Sequence, residues 1–154
     1  MRTISLLIVH CSATPEGRDY TVQDIDRWHR ARGWSGIGYH YVIYRDGTIH
    51  AGRPEWQVGA HCRNHNAHSI GICYIGGLSA PADVGRGGLP KDTRTPQQKA
   101  ALRELLRQLK LKYATPPAPA NGCGRGWPLI FGHNTFDPSK ACPCFDASAE
   151  YADL

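Results

Sequence analysis

A histidine and a cysteine near the C-terminus lie in a segment that has the composition of a loop. His133 follows a short apolar run, 129–131, which is typical of the end of a buried strand, and Cys142 comes later in the same segment. Asp137-Pro138-Ser139 supplies turn-forming residues that can bring the chain back toward His133. Imidazole nitrogen and cysteine thiolate are ligands that zinc prefers in proteins. The segment therefore offers two ligands to a divalent metal.

A third ligand is predicted near the N-terminus. Residues 4–9 form an apolar run of strand length, and the chain becomes polar from His10 onward. Two histidines and one cysteine leave the fourth tetrahedral position to water, which is the pattern of a catalytic rather than a structural zinc site. From the residues alone an alternative stays open, in which His10 and His133 are unrelated histidines at strand ends.

Composition predicts an ordinary globular domain of 154 residues, with 41% hydrophobic and 20% charged residues. The N-terminal apolar run is too short and too weakly basic for a signal peptide, so we expect synthesis in the cytoplasm. No segment reaches the roughly 20 apolar residues of a membrane span. The net charge of +5 suits an anionic partner such as nucleic acid or a bacterial wall. Since the 18 basic residues are scattered and no nucleic-acid-binding motif is present, we do not expect nucleic acid.

The six cysteines do not predict a disulfide framework, because the chain is long enough to fold around an apolar core. Cys142 is interpreted as a metal ligand. The others are expected to be free, with one disulfide bridge as the less favoured alternative; they are Cys11, Cys62, Cys73, Cys123 and Cys144.

The first half of the chain predicts a helix followed by a β-hairpin. Thr21 can cap a helix that ends at Gly33, and Trp28 and His29 fall on its apolar face, where we interpret them as core packing. Residues 38–44 are typical of a strand, and Asp46-Gly47 turns it into a second strand over 49–51. Alternation would place Tyr39, Tyr41 and Ile43 on one face of the strand and His40, Val42 and Tyr44 on the other, so that only one set can face the metal.

The second half predicts a histidine-rich loop over 59–68, interpreted as lining a substrate site, and then a buried strand over 69–77. Residues 78–94 are expected to form a surface loop. Thr95 can cap a second long helix that extends to Tyr113, and a Pro- and Gly-rich connection over 114–128 leads back to the segment of His133. A short helical tail follows Asp146. This order predicts one α/β domain over residues 1–154, with a mixed central β-sheet flanked by helices.

Several segments together resemble the type 2 N-acetylmuramoyl-L-alanine amidases, the family of zinc enzymes that includes T7 lysozyme and the peptidoglycan recognition proteins. They occur in the family's order across nearly the whole chain: His10-Cys11-Ser12-Ala13-Thr14, Gly38-Tyr39-His40-Tyr41, Arg45-Asp46-Gly47-Thr48, Gly59-Ala60-His61, Asn66-Ala67-His68-Ser69-Ile70-Gly71-Ile72 and Lys140-Ala141-Cys142-Pro143-Cys144-Phe145-Asp146.

The resemblance implies zinc held by His10, His133 and Cys142, with Tyr39 and Lys140 as the catalytic pair. The implied reaction hydrolyses the amide between N-acetylmuramic acid and L-alanine in peptidoglycan. The resemblance also favours a monomeric lytic enzyme of a phage or prophage, an endolysin, which is released from the cytoplasm to the cell wall. One departure from the family is local: many relatives have Arg-Asp after the second ligand histidine, where this chain has Asn134-Thr135.

We expect substrate contacts from His61 and Asn66 in the histidine-rich loop and from His40 in the neighbouring strand. The main alternative function is a peptidoglycan-binding protein without catalysis, which Cys142 argues against, because non-catalytic relatives lack the cysteine ligand. A second alternative is a structural zinc site that takes both Cys142 and Cys144, although a Cys-Pro-Cys pair is uncommon as a double ligand.

Overall fold

The structure is a computed structural model that describes residues 2–80, 88–115 and 126–154. Parts of the predicted surface loop and of the predicted connection over 114–128 lie outside these residues, as does Cys123. The strands are β1 (Leu6–Cys11), β2 (Thr14–Pro15), β3 (Tyr41–Ile43), β4 (Ile49–Ala51), β5 (Ser69–Tyr74), β6 (Gly77–Leu78) and β7 (Leu129–Gly132). The helices are α1 (Val22–Ala31), α2 (Pro96–Lys112), α3 (His133–Phe136) and α4 (Ala147–Glu150), with a 3-10 turn over Asn66–His68.

The main sheet has the strand order β4-β3-β5-β1-β7. Strands β3, β5, β1 and β7 are parallel, and β4 runs antiparallel to β3, so the predicted mixed sheet is confirmed. A second, two-stranded sheet pairs β2 with β6. Strand β1 lies between β5 and β7 and is buried on both faces, with Leu7, Ile8 and Val9 at 0% exposure. A strand that is covered on both faces has a continuous apolar sequence, and this is why the apolar run over residues 4–9 predicted β1.

Helices cover both faces of this sheet. On one face, α2 and α4 pack against the apolar side chains of β1 and β5, and on the other face α1 packs through Ile25 against Ile37, Val42 and Ile75. The buried residues of α2 are Gln98, Leu102, Leu105, Leu106 and Leu109. Burying a leucine side chain is worth roughly 1.5 to 3 kcal/mol, so the leucines of α2 contribute to stability by holding it on the sheet.

The ends of the two long helices follow the predicted capping chemistry. The Thr21 hydroxyl accepts a hydrogen bond from the Asp24 N–H, and the Asp24 carboxylate accepts one from the Thr21 N–H. Thr95 and Gln98 form the same reciprocal pair at the start of α2. Gly33 follows the end of α1 with a φ of +89°, a conformation that glycine adopts without the strain of a side chain.

None of the helices in the described ranges combines the length and apolarity that a membrane crossing requires.

Two predicted strands differ from the observed ones in a way that matters for the site. Strand β1 ends at Cys11, so His10 lies inside a strand rather than after it. Strand β3 covers only three residues and begins at Tyr41. The side-chain alternation therefore does not extend back to Tyr39, which packs with Val42 on the α1 face, whereas Tyr41 and Ile43 pack on the α2 face. The predicted shared face of Tyr39 and Tyr41 was wrong, because alternation holds only within a regular strand.

A buried hydrogen bond ties the C-terminal segment to the middle of the sheet. The Tyr74 hydroxyl, at the end of β5, donates to the Pro143 carbonyl at 2.7 Å. Tyr74 is completely buried, so the carbonyl would have no replacement partner from solvent. This bond fixes the backbone next to Cys142 relative to the sheet.

We expect Tyr74→Phe to lower the free energy of unfolding by about 1 to 2 kcal/mol, because it leaves a buried carbonyl without a donor. Urea unfolding followed by circular dichroism measures this loss. Tyr20→Phe is the matched control, since it removes a hydroxyl from a partly buried ring that packs on Trp28 on the other side of the sheet. Equal losses in the two variants would contradict a specific role for the Tyr74 hydroxyl.

Candidate metal centre and its cavity

The pairing of β1 with β7 brings the two predicted histidine ligands together. Val9 lies opposite Gly132 in this parallel pair, so the next residues, His10 and His133, are neighbours. Their ring centroids are 4.7 Å apart. The chain then returns as predicted: the Lys140 N–H donates to the Asp137 carbonyl at 3.0 Å. The return brings Cys142 to the two histidines, and the ligand atoms of all three residues lie within 4.8 Å of one another.

The spacing of these atoms fits a tetrahedral metal. The His10 Nδ1 and Cys142 Sγ atoms are 3.7 Å apart. Tetrahedral zinc, with Zn–N near 2.0 Å and Zn–S near 2.3 Å, separates such atoms by about 3.5 Å. Burial lowers the pKa of His10 well below its ordinary value and also lowers the pKa of His133, so both imidazoles are neutral at pH 7, as metal ligation requires. The Cys11 N–H donates to Cys142 Sγ at 3.2 Å, a contact that holds the sulfur in position.

A chain of hydrogen bonds holds the His10 ring from behind. His10 Nε2 lies 2.8 Å from His61 Nδ1, and His61 Nε2 lies 3.1 Å from Ser69 Oγ. Metal ligation through Nδ1 would place the His10 ring proton on Nε2, where His61 Nδ1 can accept it. Gly71 leaves room for this ring, since a Cβ at that position would stand 2.5 Å from His61 Cγ. Such outer partners fix the tautomer and orientation of a metal-ligating histidine.

His61, His40 and Asn66, the three predicted substrate contacts, form hydrogen bonds within the fold. His61 is 8% exposed and lies behind His10. His40 is 1% exposed, and its Nδ1 accepts from the Gly71 N–H at 3.0 Å while its Nε2 lies 2.9 Å from the Gln57 carbonyl. The Asn66 Oδ1 accepts from the His61 N–H at 2.8 Å. In this arrangement His61 holds the His10 ring, and Asn66 holds the backbone of His61.

A cavity of about 220 Å³ opens beside the metal ligands. Its wall is formed by Cys11, Ser12, Ala13, Ile25, Trp28, His29, Arg32, Tyr39, His133, Lys140 and Cys142. The predicted pair, Tyr39 and Lys140, thus lies in one cavity with His133 and Cys142. The Tyr39 ring centroid is 5.1 Å from that of His10. Burial raises the pKa of Tyr39 well above its ordinary value, so its hydroxyl is protonated at neutral pH and can donate a hydrogen bond. Lys140 is exposed at the rim.

His29 is a functional candidate that the sequence analysis missed. It is buried in the helix face as predicted, yet it also lines the cavity. The Gly38 N–H donates to His29 Nδ1 at 2.9 Å, which fixes the ring proton on Nε2. Burial lowers the pKa of His29 to about 4, so the ring stays neutral near pH 7. Helical spacing placed this residue on the apolar face but gave no sign of a cavity there; the one available signal was that a buried imidazole needs polar partners.

The alternative site with a second cysteine ligand is contradicted by the position of Cys144. Its Sγ lies 3.3 Å from the Gly77 carbonyl and 4.0 Å from Cys11 Sγ. Within the described ranges, the only cluster of metal-ligating side chains consists of His10, His133 and Cys142, so no fourth protein ligand is found there. The cysteines in these ranges carry free thiols, as expected for Cys11, Cys62, Cys73 and Cys144.

Comparison with known proteins agrees with this geometry. The chain is 39% identical over 142 residues to the endolysin of Klebsiella phage KP32, a match that covers 92% of this chain and 82% of the phage protein. It is 39% identical over 140 residues to the endolysin of Escherichia phage T7, covering 91% and 80% of the two chains. The structure of the N-acetylmuramoyl-L-alanine amidase LysC from Clostridium intestinale superimposes with a TM-score of 0.70 at 31% identity, covering 97% of this chain and 82% of LysC.

The family match extends over most of the chain and includes every residue of the candidate site. Residues 1–145 match the family described as N-acetylmuramoyl-L-alanine amidase. The alternating strands and helices are thus those of a recognised fold. The chain belongs to the N-acetylmuramoyl-L-alanine amidase family.

Proposed function

We propose that this amidase is a zinc hydrolase that cleaves the amide between N-acetylmuramic acid and the L-alanine of the stem peptide in peptidoglycan. The observation that carries the proposal is the convergence of two imidazoles and one thiol at a cavity, with no fourth protein ligand in the described part of the chain. The similarity to phage endolysins supports a lytic role at the bacterial cell wall.

Zinc would be held by His10, His133 and Cys142, which match its preference for nitrogen and sulfur donors. When bound, the ion supplies a Lewis acid for the amide carbonyl and lowers the pKa of a bound water toward neutrality. Burial of His10 between β5 and β7, with its ring held by His61, keeps the ligands oriented.

Lys140 and Tyr39 have complementary roles in the proposed reaction. Attack of water on the amide carbon places negative charge on the carbonyl oxygen, and the Lys140 ammonium at the cavity rim stabilises that charge. The departing amine of L-alanine must gain a proton. Tyr39, whose hydroxyl remains protonated at neutral pH, donates a hydrogen bond inside the cavity and orients the reacting groups.

His29 and Arg32 are proposed to bind the substrate. The His29 Nε2–H is a fixed donor at the cavity wall, because the Gly38 N–H occupies Nδ1. Among the residues that the structure describes, Arg32 and Lys140 are the charged side chains of the wall, and no carboxylate lines it. This positive lining suits the carboxylate groups of a stem peptide.

The alternative of a peptidoglycan-binding protein without catalysis is disfavoured by the completeness of the ligand set. Cys142 is present and its Sγ is directed at His10 Nδ1. A binding groove alone would have no need of a neutral, buried imidazole beside a thiol.

We expect Cys142→Ser to lose zinc, because a hydroxyl is a far weaker ligand than a thiolate. The wild-type protein should bind one zinc per chain, measured by elemental analysis after gel filtration, and a chelator should remove it together with the activity. Cys144→Ser is the matched control and should retain zinc, since the Cys144 thiol points to Gly77. Retention of one tightly bound zinc by the Cys142→Ser protein would contradict the ligand assignment.

Lys140→Met and Tyr39→Phe should each lower kcat/KM on purified peptidoglycan by roughly 100 to 1,000-fold, the usual loss when one stabilising donor is removed. Zinc content should not change, because neither side chain is a ligand. Lys99→Met, at an exposed position of α2, is the charge-matched control. Release of new amino termini on L-alanine, without new reducing sugar ends, measures the reaction. Activity within threefold of wild type in both variants would disprove these roles, and new reducing ends would indicate a glycosidase.

The lowered pKa of His29 predicts that the folded protein loses stability in acid. Its pKa is about 4 in the folded protein and about 6.5 in an unfolded chain, so only the unfolded chain is protonated between these values. The contribution to stability is therefore complete above about pH 6.5 and falls as the pH drops toward 4.

Urea unfolding of the zinc-free protein from pH 4.5 to 7 tests this expectation. His29→Asn should flatten part of the pH dependence, since an amide oxygen can accept from the Gly38 N–H without titrating. His68→Asn, at a partly exposed histidine outside the cavity wall, is the matched control. If the unfolding free energy of His29→Asn depended on pH as steeply as that of the wild type, His29 would not be neutral in the folded protein.

A further inference from the structure

Two thiols that the proposed reaction does not use meet behind the metal ligands. Cys11 follows the ligand His10 at the end of β1, and Cys144 follows the ligand Cys142 by two residues. Their Sγ atoms are 4.0 Å apart, although the residues are 133 positions apart in sequence. The pair is therefore a contact between the two segments that carry the ligands.

We propose that Cys11 and Cys144 are the site of a reversible disulfide bond that joins the two ligand-bearing segments of the zinc-loaded enzyme. The Sγ atoms need to approach by about 2 Å to reach the S–S bonding distance. Both sulfurs pack against Gly77: a Cβ there would stand 2.5 Å from Cys11 Sγ, and Cys144 Sγ lies 3.3 Å from the Gly77 carbonyl. The lack of a side chain at Gly77 therefore lets the two thiols meet.

The surroundings favour this pair over the other cysteines of the described ranges. Cys62 and Cys73 are 2% and 0% exposed, so an oxidant in solution has little access to them. Cys142 is proposed as a zinc ligand, and metal coordination occupies its sulfur. Cys144 is partly exposed and can react first, whereas Cys11, at 5% exposure, lies beneath it.

The reaction is a thiol–disulfide exchange with a small-molecule disulfide such as oxidised glutathione. The Cys144 sulfur attacks the small disulfide and releases one glutathione thiol, leaving a mixed disulfide. The Cys11 sulfur then attacks Cys144 Sγ, which forms the Cys11–Cys144 bond and releases the second glutathione thiol. Two protein S–H bonds are lost, and the two electrons and two protons reduce the glutathione disulfide to two thiols.

The bond would close a loop of nearly the whole chain. Cross-links that close long loops restrict the unfolded chain most, so the oxidised enzyme should unfold at a higher temperature than the reduced enzyme. Neither Cys11 nor Cys144 is a proposed ligand, so zinc should remain bound after oxidation. In the cytoplasm, small-molecule thiols such as glutathione keep cysteine pairs reduced. Oxidising compartments outside the cytoplasm favour the disulfide bond. The pair would thus stabilise the metal site where wall hydrolysis takes place.

The test is to incubate the zinc-loaded protein with oxidised glutathione, in a Cys123→Ser background that removes the cysteine outside the described residues. Peptide mass spectrometry without reduction locates any disulfide, and a thermal melt is recorded before and after oxidation. We expect one peptide pair that joins Cys11 to Cys144, a loss of two titratable thiols, unchanged zinc content and a higher Tm that dithiothreitol reverses. Cys144→Ser should abolish the cross-link and the Tm shift, whereas Cys62→Ser should preserve both.

Several results would overturn the proposal. One is a mixed disulfide in which glutathione stays attached to Cys144. A second is a cross-link from Cys11 to Cys142 with release of zinc, and a third is no loss of thiols at all. Because these readouts involve no peptidoglycan, their outcome is separate from that of the proposed amidase reaction. An enzyme without amidase activity could still form the bond, and an active amidase could fail to form it.

Discussion

The site depends on the parallel pairing of β1 with β7. In this register Val9 lies opposite Gly132, so the residues that follow them place two imidazoles side by side. A shift of one residue in either strand would turn one histidine to the opposite face of the sheet. Since β1 is also paired with β5 on its other edge, backbone hydrogen bonds hold its register on both sides. The ligand geometry is therefore a consequence of strand pairing.

Burying a histidine inside a central strand removes its ring nitrogens from water, and neighbouring residues offset this loss of solvation. His10 is 1% exposed, so its second ring nitrogen needs a partner within the protein. His61 supplies that partner and is itself bonded to Ser69, and the absence of a side chain at Gly71 provides the space. The histidine-rich loop thus acts as a support for the metal centre. A rigid support of this kind leaves the ligands preorganised and confines adaptation to the substrate to the cavity wall.

Much of the site could be predicted from the sequence, because its residues follow apolar runs that identify strands. His10 and His133 were found in this way, and the turn at Asp137-Pro138-Ser139 explained how Cys142 returns. The roles of His61 and His40 could not be predicted, since burial and hydrogen-bond partners of a histidine depend on elements distant in sequence. The face of Tyr39 was assigned wrongly because local pattern does not reveal where regular pairing begins. His29 shows the converse case, in which a correctly predicted apolar helix face also forms a wall of the cavity.

The central claim is that two imidazoles and one thiolate hold a single zinc ion and leave one coordination position to solvent. X-ray absorption spectroscopy at the zinc edge of the zinc-loaded wild-type protein tests it most directly. We expect one sulfur neighbour near 2.3 Å and three lighter neighbours near 2.0 to 2.1 Å, of which two show the outer-shell scattering of imidazole. Two sulfur neighbours, or imidazole scattering from three rings, would mean a closed structural site and would contradict the proposed hydrolysis.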